Sequence, residues 1–462
     1  MAQYDATVVG AGPNGLAAAV ALARKGRRVL VVEASDKIGG GTRTEELTLP
    51  GFWHDVCSAI HPSGIASPFF REIGLEIDWI EPPLQISHPL GDGRAAVMYH
   101  SLDETVAGLG DDGHRYRSIM APLVDRLQDL MEMLLGPVRP IPIHMMLMLR
   151  ATVTGGIPAS VMGRRFKTAE ARGLFAGLAA HTMAPFSGLG TSGVGISLGA
   201  VGHVDGWPLV KGGSRAITEA LAARLLDLGG SIETGRPVTS VDELPGEMFF
   251  LNVMPPAALT IAGDRISPSA KRRLARWKPG MGVFKVDWAL DGPIPWADPH
   301  SARAGTVHIG GTFEEIEANE RSVFKGDHPE RPFVLLSQQS MFDDTRAPSG
   351  KHTIWAYTHV PGGSTVDMTT AIENQIERFA PGFKDLILQR HTMNPADYES
   401  YNANLVGGDV GGGKFGVAKI LQIGSKRPYA LGGGVFLCSS AVPPGAGVHG
   451  MCGYNAVRAA LG

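Results

Sequence analysis

Asp5-Ala6-Thr7-Val8-Val9-Gly10-Ala11-Gly12-Pro13-Asn14-Gly15 is the stretch from which the fold is read. It runs from a short, mostly apolar strand into a glycine turn, and Leu16 to Lys25 continues as an Ala-rich helix. Arg28 to Glu33 follows as a second strand that ends in an acid, 18 residues beyond Gly15. Strand, glycine turn, helix, strand and acid in this order specify a Rossmann-like α/β unit that holds a dinucleotide. Gly10 allows the tight turn, Gly12 lets the backbone approach a pyrophosphate, and Gly15 lets the helix pack on the sheet. Pro13 and Asn14 open the helix, whose free N–H groups and partial positive charge face the phosphates. Glu33 accepts from the ribose hydroxyls and disfavours a 2′-phosphate.

The rest of the composition sets bounds. At 462 residues the chain is long enough for two domains with large cores. A net charge of -3 excludes a basic field of the kind that binds nucleic acid. Cys57, Cys438 and Cys452 are scattered, without metal-ligand spacing or a disulfide framework, which fits a reducing cytoplasm. No secretory signal is read at the N-terminus, and no apolar run reaches the ~18 residues of a membrane span. The nearest run, His144 to Leu149, is Met-rich and stops at Arg150. Methionines between Met131 and Met148 suit core packing, with a greasy channel or a peripheral membrane contact as alternatives.

Four further blocks organise the chain. Ile38-Gly39-Gly40-Gly41-Thr42-Arg43-Thr44 is a second glycine motif. Gly206 to Ser214 leads into an amphipathic helix, Arg215 to Leu228, closed by Gly229-Gly230. Ser231 to Thr234 and Val238 to Val241 read as strands, and Met248 to Met254 is a buried strand stopped by Pro255-Pro256. At the C-terminus, strand Gly434 to Cys438 and a Pro/Gly-rich loop lead to a final helix beginning within Val448 to Ala456.

These glycine motifs, together with Lys211-Gly212-Gly213, Val283 to Trp288 and Pro443 to Gly450, resemble bacterial phytoene-desaturase-like FAD oxidoreductases of the amine-oxidase superfamily. The resemblance covers essentially the whole chain. It implies non-covalent FAD in a Rossmann-like domain of the glutathione-reductase/amine-oxidase type, with an inserted mixed α+β substrate domain. The FAD domain is expected at 1–75, 205–255 and 425–462, and the substrate domain at 76–204 and 256–424. Gly40, Gly41, Thr42 and Arg43 are expected along the cofactor, Ala34 beside Glu33, and the Val238 backbone at the adenine. Gly447, Val448 and His449 are expected at the flavin ring. The stretches 407–413 and 424–434 depart from the family pattern by being short and glycine-rich.

The implied chemistry is hydride transfer from an apolar or amphipathic small molecule to flavin N5. With one dinucleotide fingerprint in the chain, oxygen or a quinone is the expected electron acceptor. The alternatives are an isomerase without net redox turnover and a non-catalytic flavin scaffold. Lys285 is the first catalytic candidate, because amine oxidases hold a water against the flavin with a lysine at the matching place; an edge-strand lysine facing solvent is the alternative. His61 and His449 follow as a donor or base. His54, His181 and His203 are further candidates for the pocket. Glu314, Glu315, Glu317 and Glu320 read as a solvated helix face, and Cys438 as a buried residue rather than a flavin tether. The motifs do not specify an oligomeric state.

Overall fold

The computed structural model describes residues 4–136, 145–416 and 427–462. Within them the chain builds two large sheets with the strand orders of a mixed α/β protein. The first has six strands, in the order Ala430–Gly432, Val435–Leu437, Met248–Leu251, Ala6–Val9, Val29–Val32, Ser231–Glu233. Five of these run parallel, and only Ala430–Gly432 turns back as a hairpin edge. Ala6 to Val9 is buried throughout, as a parallel strand covered on both faces must be. Its strand pairs Val29–Val32 on one side and Met248–Leu251 on the other. The chain therefore leaves the central strand in both directions, which opens a crevice at the carboxyl ends of the strands.

Helix Pro13–Ala23 starts at its proline, three residues before the expected start at Leu16, because proline without an N–H suits the first helical position. The last helix, Met451–Leu461, and helix Arg215–Asp227 pack beside it. A Cβ at Gly453 would run into the carbonyl oxygen of Asn14, so the C-terminal helix meets the first helix backbone to backbone. The core of this unit is largely Ala, Val and Leu from these elements.

The second sheet has seven strands: Ile387–Met393, Gly282–Leu290, His352–Val360, Val334–Ser337, Ala304–Ile309, Leu84–Gly91, Arg94–Met98. All neighbours are antiparallel except Ala304–Ile309 with Leu84–Gly91. Period-two alternation sends Ile354 and Ala356 into one core with Phe284, Val286 and Trp288. Trp355 and Tyr357 take the opposite face, against helices Ala169–Ala180 and Thr191–Gly202.

Several local expectations are corrected. Val238 to Val241 is not a strand: Ser240 caps a short turn, Val241–Glu243, in a reciprocal capping box with Glu243. Ile119 to Leu135 divides into helices Gly113–Val124 and Leu127–Leu135, broken at Arg126. The break lets Met120 and Leu123 on one side and Leu127, Leu130 and Met131 on the other reach the same core. The final helix starts at Met451, after the left-handed Gly450. Glu320 is not solvated: it shares the buried face of helix Phe313–Lys325 with Ile316 and Val323, and its Oε1 lies 2.7 Å from His359 Nδ1. His144 and residues 424–426 lie outside the described residues. No helix among the described residues is long and apolar enough to cross a membrane.

Candidate functional site

A cavity of about 760 Å³ runs from the carboxyl ends of the first sheet to the inner face of the second. The crevice end is formed by the residues that follow three parallel strands. Gly10 and Gly12 come after Ala6–Val9, Glu33 to Ser35 after Val29–Val32, and Asn252 to Met254 after Met248–Leu251.

Glycine geometry explains the narrow middle. Gly10 sits at φ +98°, outside the range of ordinary residues. A Cβ at Gly15 would strike the carbonyl oxygen of Gly10 and crowd Asn252, so Gly15 closes the turn without lining the cavity. A Cβ on Gly40 would come within 3.1 Å of the Gly12 Cα. The two glycine turns thus pack backbone to backbone, and together they form one wall of a slot along the cavity. Pro13, Asn14 and Gly41 complete this part of the wall.

Glu33 anchors the crevice. Its Oε2 accepts from the Ala11 N–H at 2.7 Å and its Oε1 from the Ser35 N–H at 3.0 Å, which leaves lone pairs on both oxygens for a ligand. Arg43 stands 3.7 Å from Glu33 and is held by the carbonyls of Lys37 and Ile38 and by the ring of Tyr401. Ala34 and Val238 also line this end. Thr42 does not: its hydroxyl is turned to the Gly39 carbonyl and to Thr218 at 3.1 Å, tying the second glycine turn to helix Arg215–Asp227.

His61 lines the middle of the cavity, with its Nε2 2.8 Å from the Ser214 hydroxyl. Burial pushes its pKa down to about 4, so it is a neutral ring at neutral pH. Gly447 and Val448 form the adjoining wall, whereas His449 stands behind them. The His449 Nδ1 accepts from the Met451 N–H at 3.0 Å, so this ring already holds the first donor of the last helix. Burial lowers His449 to about 4 as well.

Lys285 is placed differently from expectation. It is fully buried on an interior strand, which removes the edge-strand alternative, and it is not among the residues of the cavity wall. The wall passes at Val283, and the Lys285 ammonium pairs with Asp287 on its own strand. His54 Nδ1 and His391 Nδ1 each lie 3.6 Å from that carboxylate, and burial lowers His54 to about 4. This is a buried ion-pair cluster beneath the cavity. Next to it, Asp55 is held below the usual carboxylate range. Burial opposes that shift, but the Arg346 guanidinium at 2.7 Å and hydrogen bonds from Ser214 and Thr44 outweigh it.

The far end of the cavity is apolar and aromatic, with Val194, Leu198, Trp207, Leu335, Trp355 and Tyr357 on its wall beside His181. His203 is elsewhere, bonded to the Tyr116 hydroxyl at 2.9 Å and the His100 carbonyl at 3.2 Å. Cys438 is buried in the first sheet's core, and burial raises its thiol pKa well above the ordinary value. Cys57 does line the cavity, and burial pushes its thiol up to about 12.

Sequence reasoning passed over Asn252, Arg236, Trp355 and Tyr357. Asn252 had a signal: a polar residue directly after a buried strand, where a parallel sheet places its ligands. Trp355 and Tyr357 also had one, in the alternation of His352 to Val360. Arg236 had none, since its place at the cavity depends on how the edge strand Ser231–Glu233 pairs.

Comparison with known proteins agrees with this geometry. The NAD(P)-binding Rossmann-like domain family matches residues 8–73. A rat protein described as pyridine nucleotide-disulfide oxidoreductase domain-containing protein 2 is 24% identical over 545 aligned residues, covering 99% of this chain and 93% of its own. The neurosporene-forming phytoene desaturase of Rhodobacter capsulatus is 25% identical, again covering 99% of this chain and 93% of its own. The cyclohexylamine oxidase of Brevibacterium oxydans shares the fold, with a TM-score of 0.63 at 16% identity over 99% of this chain and 98% of that one. The chain is thus similar over nearly its whole length to proteins that include a phytoene desaturase, and it is built on a dinucleotide-binding fold that it shares with solved amine oxidases.

Proposed function

We propose that the protein is an FAD-dependent dehydrogenase or desaturase that oxidises an apolar or amphipathic small molecule. One observation carries this reading: the dinucleotide crevice and the apolar chamber are a single cavity, and Gly12 and Gly40 stand side by side on its wall. A dinucleotide whose redox ring continues past its pyrophosphate fits that path. Bound there, FAD supplies a two-electron acceptor that takes hydride at N5.

The residues present suit such a group. Glu33 offers carboxylate lone pairs to the ribose hydroxyls and repels a 2′-phosphate, which disfavours NADP. The slot admits a pyrophosphate, facing the start of helix Pro13–Ala23 with its positive dipole end. Arg43 adds a fixed positive charge nearby. His61, neutral and bonded to Ser214, holds its part of the wall without offering a proton at neutral pH. The aromatic chamber excludes water from the reacting carbon. Electrons pass on to oxygen or a quinone as small acceptors.

Anaerobic mixing of the flavin-loaded protein with apolar alcohols, alkenes and terpenoids tests this. The expected result is bleaching of the flavin by at least one such class, followed by recolouring when oxygen or a soluble quinone is admitted. Bleaching by NADPH alone would contradict the proposal, because the reductant would then be a nucleotide and not a chamber-bound molecule.

A further inference from the structure

The chamber end holds a pair of histidines whose tautomers the surroundings determine. His181 lines the cavity, and its Nε2 is 3.0 Å from the Nε2 of His308, which is fully buried. Two neutral imidazoles at this distance share one proton, so one ring donates and the other accepts.

His308 decides which. Its Nδ1 is buried without a hydrogen-bond partner. A Cβ added to Gly177 would run into that nitrogen, so one Cα–H of Gly177 points at it. A C–H faces a lone pair favourably and an N–H unfavourably. A buried N–H without a partner is also costly. His308 Nδ1 is therefore the unprotonated nitrogen, and the His308 proton sits on Nε2 and is donated to His181 Nε2. The proton of His181 must then be on Nδ1, the edge of the ring turned away from His308. Trp207 packs edge-on against the same ring, with centroids 5.3 Å apart, and holds its plane.

Among the described residues, the wall beside His181 is uncharged. Val194, Leu198, Leu335 and Trp355 are apolar or aromatic. Asp409, a carboxylate of the cavity lining, already accepts from the N–H groups of Gly280, Gly411 and Gly413 at 2.6–2.7 Å. Burial holds His181 down to about 3, with His359 adding to the shift, so the ring is neutral in use.

We propose that His181 is the hydrogen-bond donor that recognises one uncharged oxygen, a carbonyl, hydroxyl or ether, on an otherwise apolar substrate. The proposal rests on the flavin oxidoreductase reading above and narrows its substrate class. Alkylammonium ions are disfavoured at this position, because the donor repels them and, among the described residues, the one lining carboxylate on that side, Asp409, is engaged by three N–H groups. Pure hydrocarbons leave the donor unpaired.

The test uses the flavin-loaded full chain and two probes of one carbon frame, an ionone-type ketone and the parent hydrocarbon. Affinity is read from the change each causes in the flavin absorbance. The parent protein is expected to bind the ketone about tenfold more tightly, the value of one net hydrogen bond. His181→Phe loses that preference, and His181→Gln, which keeps an N–H donor, restores part of it. Nitrogen-15 NMR of histidine-labelled parent protein, which does not depend on any variant folding, is expected to show His181 protonated on Nδ1. A parent that binds the ketone no more tightly than the hydrocarbon, or binds neither, overturns the proposal; so does an Nε2-protonated His181. A chain that holds no flavin refutes the underlying reading instead.

Discussion

Replacing Gly12 by alanine separates the cofactor slot from the fold. Gly12 caps the first helix at φ -79° and ψ 176°, a conformation alanine adopts freely. The new Cβ would lie 3.2 Å from Asn252 Nδ2 and 3.8 Å from the Gly40 Cα. The first contact asks for a small shift of a side-chain amide, and the second is ordinary packing. Loss of a glycine cap in favour of alanine costs about 1 kcal/mol, so the chain should still fold. The methyl nevertheless thickens the slot's wall where the backbone would meet a pyrophosphate. A ligand lying against that wall meets overpacking of about 1–3 kcal/mol, which is roughly 5- to 150-fold in affinity. The assay is FAD titration of the apo-protein by quenching of flavin fluorescence, with circular dichroism and thermal melting of the same samples. Gly12→Ala is expected to keep its melting transition within a few degrees and to bind FAD at least fivefold more weakly. Gly15→Ala, whose Cβ meets the Gly10 carbonyl, is expected to lose the fold itself. Parent-like FAD affinity in a well-folded Gly12→Ala protein would refute the assignment of the slot.

Three further outcomes are expected. Arg346→Met leaves Asp55 buried and unpaired, at a cost of about 3–5 kcal/mol, measured by denaturant unfolding. Because the folded pKa of Asp55 is depressed, the pair's contribution is full above the unfolded value near 3.8 and fades as pH falls below it, so Arg346→Met should show less acid sensitivity than the parent in that window. His54, His61, His88, His203 and His449 are each pushed to about 4 by burial, so the unfolded chain takes up protons first as pH falls from 6.5. The melting temperature should be flat above that pH and decline below it; a melting curve unchanged down to roughly pH 4.5, near the bottom of the window, would contradict the burial of these rings. Lys285→Met strands Asp287 and should destabilise by about 3–5 kcal/mol, whereas Lys285→Met with Asp287→Leu recovers stability and leaves the flavin-reduction rate unchanged. A rate loss that persists in the recovered double variant would return Lys285 to the reaction.

The dinucleotide crevice was legible because local chemistry determines it. Gly10, Gly12 and Gly15 meet steric demands within one turn, and Glu33 follows from the length of one strand–helix–strand unit. Of the second glycine motif, Gly40, Gly41 and Arg43 reach the cavity, whereas Thr42 does not, because its hydroxyl found a closer partner in Thr218. For Lys285 the sequence left burial and an exposed edge both open. The i, i+2 spacing already put Asp287 on the same face, but that the strand is interior and that the cavity wall passes at Val283 depends on the neighbouring strands. Glu320 was misjudged because a run of acids looks solvated until His359 is brought opposite it. The His181–His308 pair joins positions 127 residues apart and has no signature in either segment.

The proposed oxidation needs a bound flavin, and the visible absorption spectrum of the purified protein before and after acid precipitation tests for it most directly. The predicted result is a two-banded flavin spectrum whose colour stays in the supernatant, identified there as FAD held without a covalent bond. A colourless protein that also fails to take up added FAD would contradict the account at its centre.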